Sequence, residues 1–146
     1  MHTLVVIDMQ EEFSAARNKR IQQAVIQEIQ RSRAKRWPIV IVEFEESGGT
    51  LPIIRRACKG YPRAVTVTKD YDDGSSEVLE ALGDITKCRK VRVCGVNTEA
   101  CVWATVKGLQ RQGVKVEVWG PGTDSEDDHE FGLRLFSQMN VPVVGA

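Results

Sequence analysis

Apolar and polar positions alternate in two kinds of segment along this chain. Thr3-Leu-Val-Val-Ile7 is apolar and β-branched and stops abruptly at Asp8. Comparable runs fall at about 38–44, 64–68, 91–95, 114–119 and 141–144. Continuous apolar runs of this length suit strands buried on both faces of a parallel sheet. Between them, longer segments at about 18–35, 75–83, 99–112 and 125–139 carry apolar residues at helical spacing. Segment 48–60 is short and reads as one or two helical turns. Strands alternating with helices imply βαβ units, and hence a three-layer α/β/α fold with a six-stranded, mostly parallel, Rossmann-like sheet. Gly113, Gly120-Pro121-Gly122 and Gly145 read as punctuation at element ends.

The length of 146 residues indicates one domain spanning 1–146. Twenty basic and twenty acidic residues balance, so nothing in the charge argues for nucleic acid. The basic residues Arg31, Arg33, Lys35 and Arg36 share a helix with Glu28 and read as a solvated face. The apolar start, Leu4 to Ile7, is too short to cross a membrane and lacks a basic flank. Cys58, Cys88, Cys94 and Cys101 show no zinc-type spacing. A reduced, cytoplasmic setting is expected, with Cys94 in the core.

Three strand ends carry chemistry. Val91-Arg-Val-Cys94-Gly-Val reads as a strand and turn, and Thr98 as the N-cap of a helix starting at Glu99. Cys101 then lies in a first helical turn, where unpaired N–H groups and the macrodipole favour thiolate. The alternative is a small buried apolar residue. Asp8 ends the first strand at the edge where α/β sheets bind ligands, and suits a general base. The alternative is a loop cap. Lys69, after Ala64-Val-Thr-Val-Thr, suits a partner that keeps Asp8 ionised, or else a solvated surface lysine. Together they bring a thiol, a carboxylate and an ammonium to one edge of one sheet.

From Thr3 to about Val144 the chain resembles the isochorismatase-like cysteine hydrolases, a family that includes nicotinamidases and related amidases. The resemblance rests on Asp8-Met-Gln10-Glu-Glu-Phe13, on Val67-Thr-Lys69 and, most specifically, on Cys94-Gly-Val-Asn97-Thr-Glu-Ala-Cys101-Val. Val114-Lys-Val-Glu-Val-Trp and His129 match a following strand and a helix-start histidine. The resemblance implies a catalytic triad of Asp8, Lys69 and Cys101 and a thioester acyl-enzyme. It also implies a cis peptide between Val96 and Asn97, and an oxyanion hole from the N–H groups of Asn97 and Cys101. Phe13, Gln10 and Tyr71 are the candidate substrate-binding residues.

The chain departs from its metal-containing relatives after the second strand. Val42-Glu-Phe-Glu-Glu-Ser-Gly-Gly-Thr-Leu-Pro holds no histidine. Neither metal nor cofactor is expected, and Glu43, Glu45 and Glu46 read as solvated. Loops that usually roof the pocket are short. Arg55 and Arg56 are surface charges, or else partners of a substrate carboxylate. Trp103 reads as a subunit contact, a pocket wall or ordinary partial burial. The expected activity is hydrolysis of a small amide-like substrate, by a homodimer or higher homo-oligomer without nucleic-acid or membrane partners. The alternatives are a non-catalytic ligand- or partner-binding relative, or a thiol redox sensor built on Cys101.

Overall fold

The computed structural model describes residues 2–83 and 90–145; Cys88 lies outside them. Six strands form one sheet in the order β3-β2-β1-β4-β5-β6. They are β1 (Thr3–Ile7), β2 (Ile39–Phe44), β3 (Ala64–Lys69), β4 (Lys90–Val96), β5 (Lys115–Asp124) and β6 (Val143–Val144). Every neighbouring pair is parallel. Connections therefore cross the sheet through helices: α1 (Lys19–Ala34), α2 (Pro52–Cys58), α3 (Ser75–Leu82), α4 (Trp103–Arg111) and α5 (His129–Gln138).

Alternate residues of each strand enter opposite cores. Leu4 and Val6 join Val25 and Ile29 of α1 and Ile54 of α2 on one face. Val5 and Ile7 join Val78 of α3, Val106 and Leu109 of α4, and Phe136 of α5 on the other. On α1, Ile21, Val25 and Ile29 repeat every four residues, so one stripe is buried. The Asn18 side chain caps that helix by accepting from Arg20 N–H at 2.9 Å.

Three expectations change. β5 does not stop before Gly120 but continues to Asp124. Its pairing with β4 steps from Val93–Val118 to Gly95–Thr123, so Trp119–Gly122 bulges and the strand resumes. The last helix begins at His129, because Asp128 caps it by accepting from Phe131 N–H at 2.9 Å. The segment after β4 opens with a π-turn, Thr98–Val102, before α4 starts at Trp103. Asn97 C=O accepts from both Ala100 N–H and Val102 N–H, which widens that turn. Glu28 of α1 is fully buried and binds Arg31 and Arg92, each at 2.6 Å.

Gly95 of β4 pairs with Ile7 of β1. Its φ is +117°, and a Cβ there would overlap the Ile7 carbonyl. Only glycine satisfies both demands.

Candidate active site

The sheet order reverses between β1 and β4: β2 and β3 extend one way and β5 and β6 the other. The carboxyl ends of β1 and β4 flank that switch point, where α/β sheets leave a crevice. Asp8 follows β1, and Cys101 follows β4 within the π-turn. Lys69 ends β3, two strands away, and its long side chain crosses over β2.

Asp8 has φ +54°, uncommon for a residue with a Cβ, and its N–H donates to Val42 C=O at 3.0 Å. Its side chain is buried, and Oδ2 lies 3.2 Å from Lys69 Nζ. Lys69 is 1 % exposed. Its ammonium also donates to Tyr71 C=O at 3.1 Å and sits 4.0 Å from the Phe44 ring centroid. Lys69 is therefore a desolvated ion-pair partner and not a surface lysine. Burial raises the Asp8 carboxyl above the ordinary range, while the Lys69 charge opposes that rise. Asp8 Oδ1 is buried without a hydrogen-bond partner among the described residues.

The Cys101 thiol stands beside Asp8 and donates to Asp72 Oδ1 at 3.7 Å. Burial pushes it up strongly, and the Asp8 carboxylate adds to that. This corrects the expectation that the helix start favours thiolate. The thiol is buried beside carboxylates, and the turn holding it is not a regular first helical turn. A neutral thiol next to a basic carboxylate calls for proton transfer at the moment of attack.

The other named residues separate by role. Gln10 is fully buried, and its amide N–H groups donate to Phe44 C=O at 3.1 Å and Gly48 C=O at 2.6 Å. Its Oε1 accepts from Phe44 N–H at 2.8 Å, so Gln10 pins the loop after β2. Phe13 packs on the α1–α2 side of the core. Tyr71 is 74 % exposed and meets Lys69 only through its carbonyl. The Val96–Asn97 peptide is cis. Asn97 Oδ1 accepts from Glu126 N–H at 3.0 Å, and Thr98 Oγ1 lies 2.7 Å from His129 Nδ1. Trp103 is half-buried, with its indole N–H donating to Met139 Sδ at 3.1 Å. Arg55 and Arg56 are exposed on α2.

Sequence reasoning missed Asp72. The signal was present as the acidic run Asp70-Tyr-Asp72-Asp73 directly after Lys69. Cys94 and Cys101 fall in the cores on opposite faces of the sheet. Among the described residues, no group of three His, Cys, Asp or Glu is arranged to hold a metal ion. Glu43 is engaged by Thr50, whose N–H and hydroxyl donate to it at 2.6 and 2.7 Å. With no imidazole in that loop, the residues do not fit a transition metal. No helix among the described residues is long and apolar enough to cross a membrane.

The sequence profile of the isochorismatase domain matches residues 2–146. No curated protein sequence matches the chain. Several solved structures share its fold. A nicotinamidase from Staphylococcus aureus superposes with TM-score 0.81 at 20% identity, covering 98% of this chain and 98% of that one. A ribonuclease from Caenorhabditis elegans gives TM-score 0.82 at 20% identity, covering 98% of this chain and 76% of that one. An isochorismatase-like hydrolase from Alkaliphilus metalliredigens gives 0.80 at 20% identity, covering 99% and 94%.

Proposed function

The chain belongs to the isochorismatase family of hydrolases, and from that membership we propose that it hydrolyses a small amide-like substrate with Cys101 as nucleophile. The observation that carries this reading is the buried Asp8–Lys69 ion pair set against the Cys101 thiol. A buried pair of this kind does not raise stability by itself over apolar residues of similar size, so its position at the thiol invites a chemical explanation.

In this mechanism Asp8 takes the thiol proton as Sγ attacks the carbonyl carbon. The N–H groups of Asn97 and Cys101 hold the developing oxyanion. The C–N bond breaks, and Asp8 passes its proton to the departing nitrogen, which leaves as ammonia or an amine. Water then attacks the thioester, giving one proton to Asp8, and the carboxylic acid leaves as the sulfur regains that proton. Lys69 holds Asp8 in place and offsets its charge throughout. Burial that raises the Asp8 carboxyl makes it a stronger base, which suits this role. A cytoplasmic, reducing location and a homodimeric assembly are part of the proposal, as is a substrate that is a small molecule and neither nucleic acid nor membrane.

A sensor reading is disfavoured by the placement of Cys94 across the sheet from Cys101. The test is trapping of a Cys101 acyl adduct by mass spectrometry across a panel of small amides, with ammonia release measured in parallel. Adduct and release should both vanish in Cys101→Ala, and release should vanish in Asp8→Asn. Wild-type rates in either variant would sink the mechanism.

A further inference from the structure

Resting on the amidase reading above, we infer that the pocket selects amides bearing a protonated amine on the carbon next to the scissile carbonyl, with Asp72 as the specificity-determining residue. Two carboxylates face the Cys101 thiol. Asp8 is buried and neutralised by Lys69. Asp72 is exposed, and its Oδ1 lies 3.7 Å from Sγ. No ion pair offsets it among the described residues.

The fold builds this position. Thr105 of α4 is fully buried, and its hydroxyl accepts from Gly74 N–H at 3.0 Å and donates to Asp72 C=O at 3.4 Å. Asp73 Oδ1 accepts from Ser75 N–H at 2.8 Å. A Cβ at position 108 would run into the Ser75 hydroxyl and the Asp73 carboxylate, so Gly108 lets the turn rest on α4. The helix that follows Cys101 thus also seats Asp72.

The distances fit an α-ammonium ligand. A carbonyl carbon poised for attack lies about 3–3.5 Å from the sulfur. Its α-nitrogen is two bonds further, and a charge-assisted hydrogen bond spans about 2.7–2.9 Å. With Oδ1 at 3.7 Å from Sγ, these lengths close for an α-ammonium group. Once bound, that cation offsets a carboxylate that otherwise opposes thiol ionisation. Asp8 Oδ1, buried and without a hydrogen-bond partner among the described residues, is left for the proton transfer.

The surroundings agree independently. The connections at the carboxyl edge of the sheet are 8–18, 45–51, 70–74, 97–102 and 125–128. They hold twelve of the chain's twenty acidic residues but one of its twenty Lys and Arg residues, Arg17. Lys35, Arg36, Lys59, Arg63, Arg111 and Lys115 stand at the opposite edge. A mouth of one sign concentrates ligands of the other.

The test compares hydrolysis of alaninamide with its neutral isostere isobutyramide at pH 7, below the α-amino range of about 7.7–8.0. We expect kcat/KM at least tenfold higher for alaninamide, a ratio that falls toward one in Asp72→Asn and shrinks with added salt. A second readout needs no turnover. Relative to glutathione, bromoethylamine should alkylate Cys101 at least tenfold faster than iodoacetate, and Asp72→Asn should erase that ratio. An unchanged urea midpoint in Asp72→Asn confirms that the variant folds. Amide hydrolysis without charge preference, or a preference that survives Asp72→Asn, overturns the inference and leaves the amidase reading standing. Asp72-dependent alkylation without amide hydrolysis supports charge selection and overturns the amidase reading.

Discussion

Lys69→Met tests the buried pair without any knowledge of the substrate. Methionine keeps an apolar stem beside Gly74 but removes the ammonium that sits over the Phe44 ring. Asp8 then stays buried with its Oδ2 partner 3.2 Å away deleted. Breaking one side of a buried pair costs about 3–5 kcal/mol. Total stability of a domain is about 5–15 kcal/mol, so the variant should fold but be visibly weakened. With a denaturant slope of about 2 kcal/mol/M, the urea midpoint should fall by about 2 M at neutral pH. The loss should also depend on pH. A carboxyl whose pKa is raised by folding binds its proton more tightly in the native state. Stability therefore falls as pH rises from the unfolded value, about 3.9, through the raised folded value. Removing Lys69 raises the folded value further and extends that fall to higher pH. Adding Asp8→Asn to Lys69→Met removes the stranded charge and should restore more than half of the loss. Urea unfolding of the four proteins at pH 5 and pH 8 measures all of this. A single-variant loss under about 1 kcal/mol with no pH slope, the behaviour of an exposed pair, would refute the reasoning.

Gly95→Ala should cost more than about 3 kcal/mol or prevent folding, because the added methyl meets backbone of β1. Gly113→Ala, with φ +81° and open space around it, should cost only about 1 kcal/mol; urea melts of the pair decide. Alkylation of Cys101 by iodoacetamide should keep accelerating above about pH 8.5, the ordinary thiol range, because its surroundings disfavour thiolate. A plateau near neutral pH would contradict that. Chelators should leave hydrolysis unchanged, and loss restored by zinc or iron would reverse that reading. Light scattering after size exclusion should return a homodimer or larger homo-oligomer, and a single species at the chain mass of 16.3 kDa would refute it.

The sheet was legible because its strands are buried on both faces, and burial writes uninterrupted runs such as Leu4–Ile7. Asp8 and Lys69 were legible at the strand ends because charge appears abruptly where those runs stop. What stayed hidden depends on pairing between distant segments. Gly120-Pro121-Gly122 carries the local chemistry of a turn, and only the bulged pairing with β4 keeps it in a strand. Thr98 has the chemistry of a helix cap, yet its hydroxyl is taken by His129, thirty-one residues on. Gln10 stands two residues after Asp8 and reads as a ligand contact. Its partners, Phe44 at the end of β2 and Gly48 in the loop beyond, are not marked as adjacent by the sequence. The burial of Glu28 was not legible because Arg92, which completes its ion network, lies sixty-four residues away.

The zero net charge conceals a polarised body, with acid gathered at one end of the sheet and base at the other. Such a molecule behaves as two colloids joined back to back. In dilute buffer near its isoelectric point, about 6.7, it should bind both anion and cation exchangers, each through a different end. Molecules should also attract one another end to end and cloud the solution at low salt. Ionic strength near 0.15 M, where the screening length shrinks to about 8 Å, should disperse them again. Purification and crystallisation would then turn on salt before pH.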